Sequence, residues 1–224
     1  MAGIVSVKRE LPEFDRILVK GVGKVFIEQG GEQSVTVEAD EQFIPRISTE
    51  VLDRKLVFDV GRDWLERIVQ PAMEFLASRE IILRVTLREL KSLEIQGACD
   101  LEAGKVRTDD FDLKMSGASS VKILELDANR IDAEMPGAGR IVISGKCDEQ
   151  TVTVTGAGQY DAAHLETRNT KVALTGVGNA VVWARENLEV SVTGVGSIEY
   201  YGNPRIKQST AMLGVVRNLG EAPK

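Results

Sequence analysis

Gly176-Val177-Gly178, with the strand-like run Lys171-Val172-Ala173-Leu174-Thr175 before it, is one copy of a pattern that fills the C-terminal two-thirds of the chain. Other copies are Gly97-Ala98-Cys99, Gly117-Ala118-Ser119, Gly137-Ala138-Gly139, Gly156-Ala157-Gly158 and Gly194-Val195-Gly196. Successive first glycines are 20, 20, 19, 20 and 18 residues apart. A period near 20 residues marks a stacked solenoid, in which each repeat buries its apolar face only against its neighbours.

The residues around each glycine say how a repeat is built. Two positions before it stand Ile95, Met115, Met135, Val154, Leu174 and Val192, and four before it Leu93, Leu113, Ala133, Val152, Val172 and Val190. Beyond it come Leu101, Val121 with Ile123, Ile141 with Ile143, Ala162, Val182, and Ile198 with Tyr200. Alternation on both sides of a glycine predicts two short strands per repeat, each with one buried face. The glycine reads as a corner requiring positive φ. The small residue after it (Ala98, Ala118, Ala138, Ala157, Val177, Val195) reads as pointing inward where the backbone is crowded. Along the outward face, Lys114, Ser116, Glu134, Thr153, Thr155, Thr175, Ser191 and Thr193 are expected together.

Several chemistries are disfavoured. The Gly-x-Gly units lack the third glycine and following helix of a dinucleotide-binding loop, and strand residues such as Arg140-Ile141-Val142-Ile143-Ser144 follow instead. A calcium-binding repeat needs a regular aspartate column, which Asp100 and Asp161 do not make. His164 is the single histidine, so neither a zinc site nor a Ser-His-Asp triad has partners, and it reads as a corner residue. No cofactor or metal site is expected. A net charge of -6 without a basic cluster argues against nucleic acid. Cys99 and Cys147 are too few for a disulfide framework, and Cys99 stands where other repeats carry a small residue. No run is long and apolar enough for a membrane span, and the first residues lack the apolar core of a signal peptide.

Three sections are expected: an N-terminal β section over residues 11–61, a helical insertion over 62–80, and β-solenoid repeats over 81–218. In the first, Phe14 to Lys20, Lys24 to Glu28, Ser34 to Glu38 and Lys55 to Val60 read as strands, while Pro45 weakens Ile44 to Ile47. In the insertion, Trp64, Leu65, Ile68, Val69, Met73 and Leu76 fall at helical spacing on one face, with Asp63 as a candidate cap and Pro71 dividing the segment. Trp64, Leu65, Ile68 and Met73 are therefore the candidate partner-binding or capping surface. Arg205 to Gln208 and Ala211 to Val216 read as closing strands.

In combination, these stretches resemble the head GIN domain family, described as auto-transporter adhesins. Phe14-x-x-Ile17-x-Val19-x-Gly21-x-Gly23-x-Val25 is similar to its opening, and Val35-Thr36-Val37-Glu38-Ala39-Asp40 with Lys55-Leu56 to its second section. Leu90 to Ala98 resembles the approach to its repeats, and Tyr201-Gly202-Asn203-Pro204 with Ile206 its closing turn. The resemblance implies an all-β, right-handed β-helix-like solenoid, found in exported or envelope proteins of bacteria, with no established enzymatic activity. The segment 62–78 is longer than the family pattern.

The leading functional expectation is a non-enzymatic binding or scaffolding module of the cell envelope or surface, facing a protein or glycan, with a homo-oligomer as a further possibility. The alternative is a carbohydrate-active enzyme on a β-helix scaffold, which a cleft with convergent carboxylates would favour. The insertion gives a test of its own. Trp64→Asp with Ile68→Asp is expected to lower the unfolding midpoint at unchanged mass if the stripe caps the body, or to lower the mass if it joins subunits. If neither changes, both roles fail.

Overall fold

The computed structural model describes residues 3–60, 81–211 and 213–222. The expected helical insertion, with Trp64, Leu65, Ile68 and Met73, lies outside them. Within the described residues the chain is all-β, and the one helical element is a 3-10 turn, Ile44–Arg46, with Pro45 in its first turn. The proline that weakens a strand there starts that turn instead.

The repeats form a β-solenoid. Strands β7 (Ser92–Met115), β8 (Ala118–Met135), β9 (Ala138–Val154), β10 (Ala157–Leu174), β11 (Val177–Val192) and β12 (Val195–Tyr201) follow one another, each hydrogen-bonded in parallel to the next. The pairing offset equals the sequence period: Leu101 lies beside Val121, Val121 beside Ile141, and Ile141 beside Tyr160. The expected pair of short strands per repeat is instead one long strand that bends as it goes round. In β8 the inward alternation of Ser119, Val121 and Ile123 breaks at the exposed pair Leu124-Glu125, resumes at Leu126, breaks at Asn129-Arg130 and resumes at Ile131. With the break at Pro136-Gly137, each turn has three sides. Two closing strands, β13 (Arg205–Thr210) and β14 (Leu213–Gly220), pair in parallel with β11 and β12.

The core is made of the predicted columns. Ile95, Met115, Met135, Val154, Leu174 and Val192 are all at most 1% exposed, as are Leu93, Leu113, Ala133, Val152, Val172 and Val190. One column turns polar. Phe111 and Ile131 are followed in register by Gln150 and Thr170, before Leu188 restores the apolar run. Gln150 donates from Nε2 to the Tyr160 hydroxyl (2.7 Å), Thr170 donates to Gln150 Oε1 (3.3 Å), and the neighbouring Thr167 donates to the Trp183 carbonyl (2.7 Å). A buried polar group is tolerable only with such partners.

The N-terminal section covers the first turn. Strand β2 (Arg16–Gln29) pairs with β7 from Arg16 to Ile27. On its other side, the first half of β2 takes the β5 (Lys55–Asp59) and β4 (Ser48–Leu52) hairpin. The second half takes β6 (Ile82–Leu87), followed by β3 (Ser34–Asp40) and β1 (Ile4–Arg9). Phe43, Ile47, Val60 and Ile81 join the same core there. Asp15 fastens the hairpin turn: its buried carboxylate meets Arg54 at 3.1 Å, Arg16 at 3.5 Å and Lys91 at 3.7 Å.

Two expectations about the corners are corrected. The first glycine of each copy does not need positive φ; that conformation falls elsewhere, as at Gly139 and Gly145. It is glycine for want of space. A Cβ on Gly117 would stand 1.8 Å from the Gly97 carbonyl oxygen, on Gly156 1.9 Å from that of Gly137, and on Gly176 2.0 Å from that of Gly156. The residue after it points outward, not inward: Ala98, Ala118, Ala138 and Ala157 are exposed, and Val177 and Val195 are 59% and 41% exposed. The corner spends three residues outside, so the inward phase resumes at the next position, where Cys99 and Ser119 are buried. There Ser119 Oγ accepts from the Cys99 amide and donates to the Gly97 carbonyl, both at 3.1 Å.

Two neighbouring substitutions separate these roles. Gly176→Ala is expected to cost about 1–3 kcal/mol by forcing stacked backbones apart, whereas Ala157→Val stays within about 0.5 kcal/mol. Chemical denaturation checks both. Equal costs would contradict this description of the corner.

Candidate binding face

The register between successive strands decides which outward residues share a side. On the side that leads into the glycine corner, register places Lys114 beside Glu134, Glu134 beside Thr153, Thr153 beside Ala173, and Ala173 beside Ser191. At its edge the amide of Ser116 donates to the Ile95 carbonyl, that of Thr155 to Met135, that of Thr175 to Val154, and that of Thr193 to Leu174. All eight outward residues expected from the alternation therefore lie on one side. Neighbouring turns are about 4.8 Å apart and alternate residues about 6.8 Å apart along a strand, which makes the side a regular grid.

The grid changes character along its length. Over β7 and β8 it is charged and slightly hollow: Ser92, Glu94, Asp112, Leu113, Lys114, Asp132 and Glu134 line a shallow depression. Three of its four carboxylates have a cation: Lys114 meets Glu134 at 2.8 Å, Arg130 meets Asp132 at 3.5 Å, and Lys55 meets Glu94 at 3.6 Å. Asp112 lies in register with Asp132. Partial burial, and then the Asp132 charge, push the Asp112 carboxyl above its ordinary value.

Over β9, β10 and β11 the same side carries Thr151, Thr153, Thr155, Ala173, Thr175, Ser191 and Thr193, with Lys171 and Glu189 along one margin. The hydroxyls of Thr153, Thr155, Thr175, Ser191 and Thr193 make no hydrogen bond to the described residues. Elsewhere hydroxyls are used internally, as when Ser116 donates to the Ile95 carbonyl and Ser197 to Asn179. The backbone beneath the free hydroxyls is fixed by ladder bonds on both sides and by fully buried Val154, Leu174 and Val192.

The other sides are zipped by pairs between turns. Arg107 meets Asp127 at 2.8 Å, Arg185 meets Glu166 at 2.7 Å and Arg168 meets Glu186 at 3.1 Å, while Lys105 pairs with Glu125 and Arg217 with Glu199. Such exposed pairs add little stability individually, but each is satisfied only in the observed register. Trp183, which the glycine-centred pattern does not single out, lies in register with Tyr201 of the closing turn on an adjoining side, both half-buried. The outward phase of Trp183, between inward Val182 and Ala184, is the signal for it in the sequence.

His164 is an exposed corner residue in register with Ser144. Cys99 and Cys147 are free and buried, and burial pushes the Cys147 thiol up to about 11, so it stays protonated at neutral pH. Among the described residues, no group of His, Cys, Asp or Glu is arranged to hold a metal, and no helix is long and apolar enough to cross a membrane.

Comparison with known proteins agrees with this architecture. No curated protein matches the chain. A crystal structure of a putative adhesin from Bacteroides fragilis is 22% identical, covers 97% of both chains and superposes with a TM-score of 0.87. One from Parabacteroides distasonis, named a putative lipid binding protein, is 18% identical over 96% of both chains with a TM-score of 0.72. A putative adhesin from Parabacteroides merdae is 17% identical over 96% of both chains, with a TM-score of 0.64. At these identities the likeness is one of fold. The family model described as "Putative auto-transporter adhesin, head GIN domain" matches residues 13–204, and the chain belongs to that family.

Proposed function

We propose that this chain is a non-enzymatic binding module of the bacterial cell envelope or surface, adhesin-like in the sense of its family. Its ligand is a protein or glycan surface rich in hydrogen-bonding groups. The observation that carries this reading is the neutral hydroxyl grid of β9–β11. Donors and acceptors with no internal partner stand there on a backbone that loses almost no freedom when a ligand arrives, so little ordering entropy opposes association. The solenoid is taken to wind right-handed, as the family resemblance implies. The apolar residues Trp64, Leu65, Ile68 and Met73 are proposed as a partner-binding or capping surface.

A second reading rests on the carboxylate depression. The Asp112 carboxyl, raised by partial burial and by Asp132 beside it, is the group that a carbohydrate-active enzyme on this scaffold would use as a proton donor. The open, shallow shape and the cations on its neighbours favour binding over catalysis.

Two measurements separate these readings. In glycan-array and cell-surface binding assays, Thr155→Lys, Thr175→Lys and Thr193→Lys together are expected to abolish binding at an unchanged unfolding midpoint. Binding that survives all three would refute the grid. Asp112→Asn addresses the depression. Because the folded state raises this group, its ionised form opposes folding above the folded value, and the opposition fades as pH falls through that value. Asp112→Asn is therefore expected to raise the melting temperature at neutral pH, with the gain vanishing below the carboxylate range. Polysaccharide turnover abolished by the same substitution would establish the enzymatic reading instead.

A further inference from the structure

We propose that the glycine-corner edge of the turns bearing Ala157, Val177, Val195 and Leu213 is a lipid-facing edge that rests in the surface of a bilayer. It stands without any ligand on the hydroxyl grid. The residue after the first glycine of each corner points away from the core, so packing does not require it to be apolar. Yet Ala118, Ala138, Ala157, Val177, Val195 and Leu213 follow one another in register as one apolar column. Along that column the side chains grow from Ala to Val to Leu. Val177 and Val195 have a turn on either side and are still 59% and 41% exposed, so the exposure belongs to the corner itself.

Charge withdraws from the corner over these same turns. Residues 153–159, 173–179, 191–197 and 209–215 hold no Asp, Glu, Lys or Arg. The equivalent stretches of the earlier turns all do: Glu94 and Asp100, then Lys114, then Glu134 and Arg140. In the later turns neutral hydrogen-bonding groups flank the column instead. Thr155, Thr175 and Thr193 stand on one side of it, and Asn179 and Ser197 on the other. Polarity therefore rises in steps away from the edge, from apolar to neutral polar to charged. A bilayer interface has the same order from its acyl boundary outward.

The depths agree. Interfacial apolar residues sink about 5–10 Å into the boundary between headgroups and acyl chains. From Val195 the nearest outward charges are Glu199, four residues on, and Glu189, six residues back. At about 3.3 Å per residue these lie about 13 and 20 Å along the strand, beyond that depth. At Ala138 the same insertion would drag in Arg140, two residues and about 7 Å away, which confines the lipid-facing stretch to the later turns. From Ala157 to Leu213 there are three steps between turns, so the edge is about 14 Å long.

A bilayer fits this edge better than a protein does. The edge is a convex corner, and a fluid surface closes around it with no preformed groove. Its residues are Val, Ala, Thr and Ser, whereas the hot spots of protein interfaces are Trp, Tyr and Arg and are poor in Val, Ser and Thr. Charges beyond the shoulders cancel, since Lys207 pairs with Glu189 and Arg217 with Glu199. The apolar column, not attraction to anionic headgroups, therefore drives the contact, and neutral lipid suffices. Thr155, Thr175 and Thr193 border both this edge and the hydroxyl grid, so the residues that test it are those of the column alone.

Flotation with phosphatidylcholine vesicles tests this. A single myristoyl chain binds a bilayer at about 10⁴ M⁻¹, and the edge offers only part of each side chain, so the wild type should float at about millimolar lipid. Raising the salt or adding phosphatidylserine should change little. Val177→Asp with Val195→Asp should lower partitioning at least about tenfold at an unchanged unfolding midpoint. Val177→Leu with Val195→Leu, one CH₂ more at each, should raise it roughly tenfold. Ala118→Asp, at the same corner position among charged neighbours, should leave it unchanged. A wild type that ignores vesicles would overturn the proposal and leave the edge to a protein or glycan. Flotation that needs phosphatidylserine and fails in high salt would overturn it too, because the cations of the last turn would then be the contact. So would flotation that survives both aspartates.

Discussion

Backbone contact at the glycine corner sets the terms for the rest of the molecule. In each turn the first glycine lies so close to the carbonyl of the glycine before it that even one carbon of side chain would overlap it. Stacked turns share a cross-section only if their corners coincide. The corner therefore fixes the phase of both strands that leave it, and with them the apolar columns. The amides also take part: those of Ala138, Ala157, Val177 and Val195 donate to the preceding turn's first glycine at 3.0–3.1 Å. What looks locally like a turn is thus a rung of the ladder, with its groups satisfied by the turn below.

Once the corners coincide, inside and outside carry different kinds of information. Inside, small changes in repeat length are absorbed by irregularities at other corners, as between Ile123 and Leu126 opposite Ile143 and Gly145. Just beyond this shift the Gln150, Tyr160, Thr167 and Thr170 network interrupts the apolar columns. Its hydrogen bonds are directional, so they specify one register where shape alone is least restrictive. Outside, ion pairs one period apart repeat the same register. Over the hydroxyl grid the described residues make no such internal pairs, which is why it is the candidate for an external partner.

Much of this was legible in the sequence. The period gave the offset between Leu101, Val121 and Ile141, and the alternation gave the columns around Val154 and Leu174 and the outward grid. The failures concern distances rather than patterns. A glycine chosen for positive φ and one chosen for contact look alike, so Gly176 was assigned the wrong cause. The phase of Ala157 and Val177 depends on how many residues a corner spends outside, which small residues do not reveal. Gln150 and Thr170 lie at inward positions, but their role depends on Tyr160 and Thr167 reaching them across the interior. The upward shift of the Asp112 carboxyl likewise comes from partial burial and then from the Asp132 charge in register with it, both of which exist only once the turns are stacked.

The corner as a rung can be measured directly by native-state hydrogen exchange at the amides of Ala138, Ala157, Val177 and Val195. If the stacked backbone holds the fold, these turn amides should exchange only through global unfolding, with the same free energy as strand amides such as those of Val154 and Leu174. Fast exchange at the four corners beside protected strands would mean that they are ordinary surface turns, and the contact would not be the constraint from which the columns and faces follow.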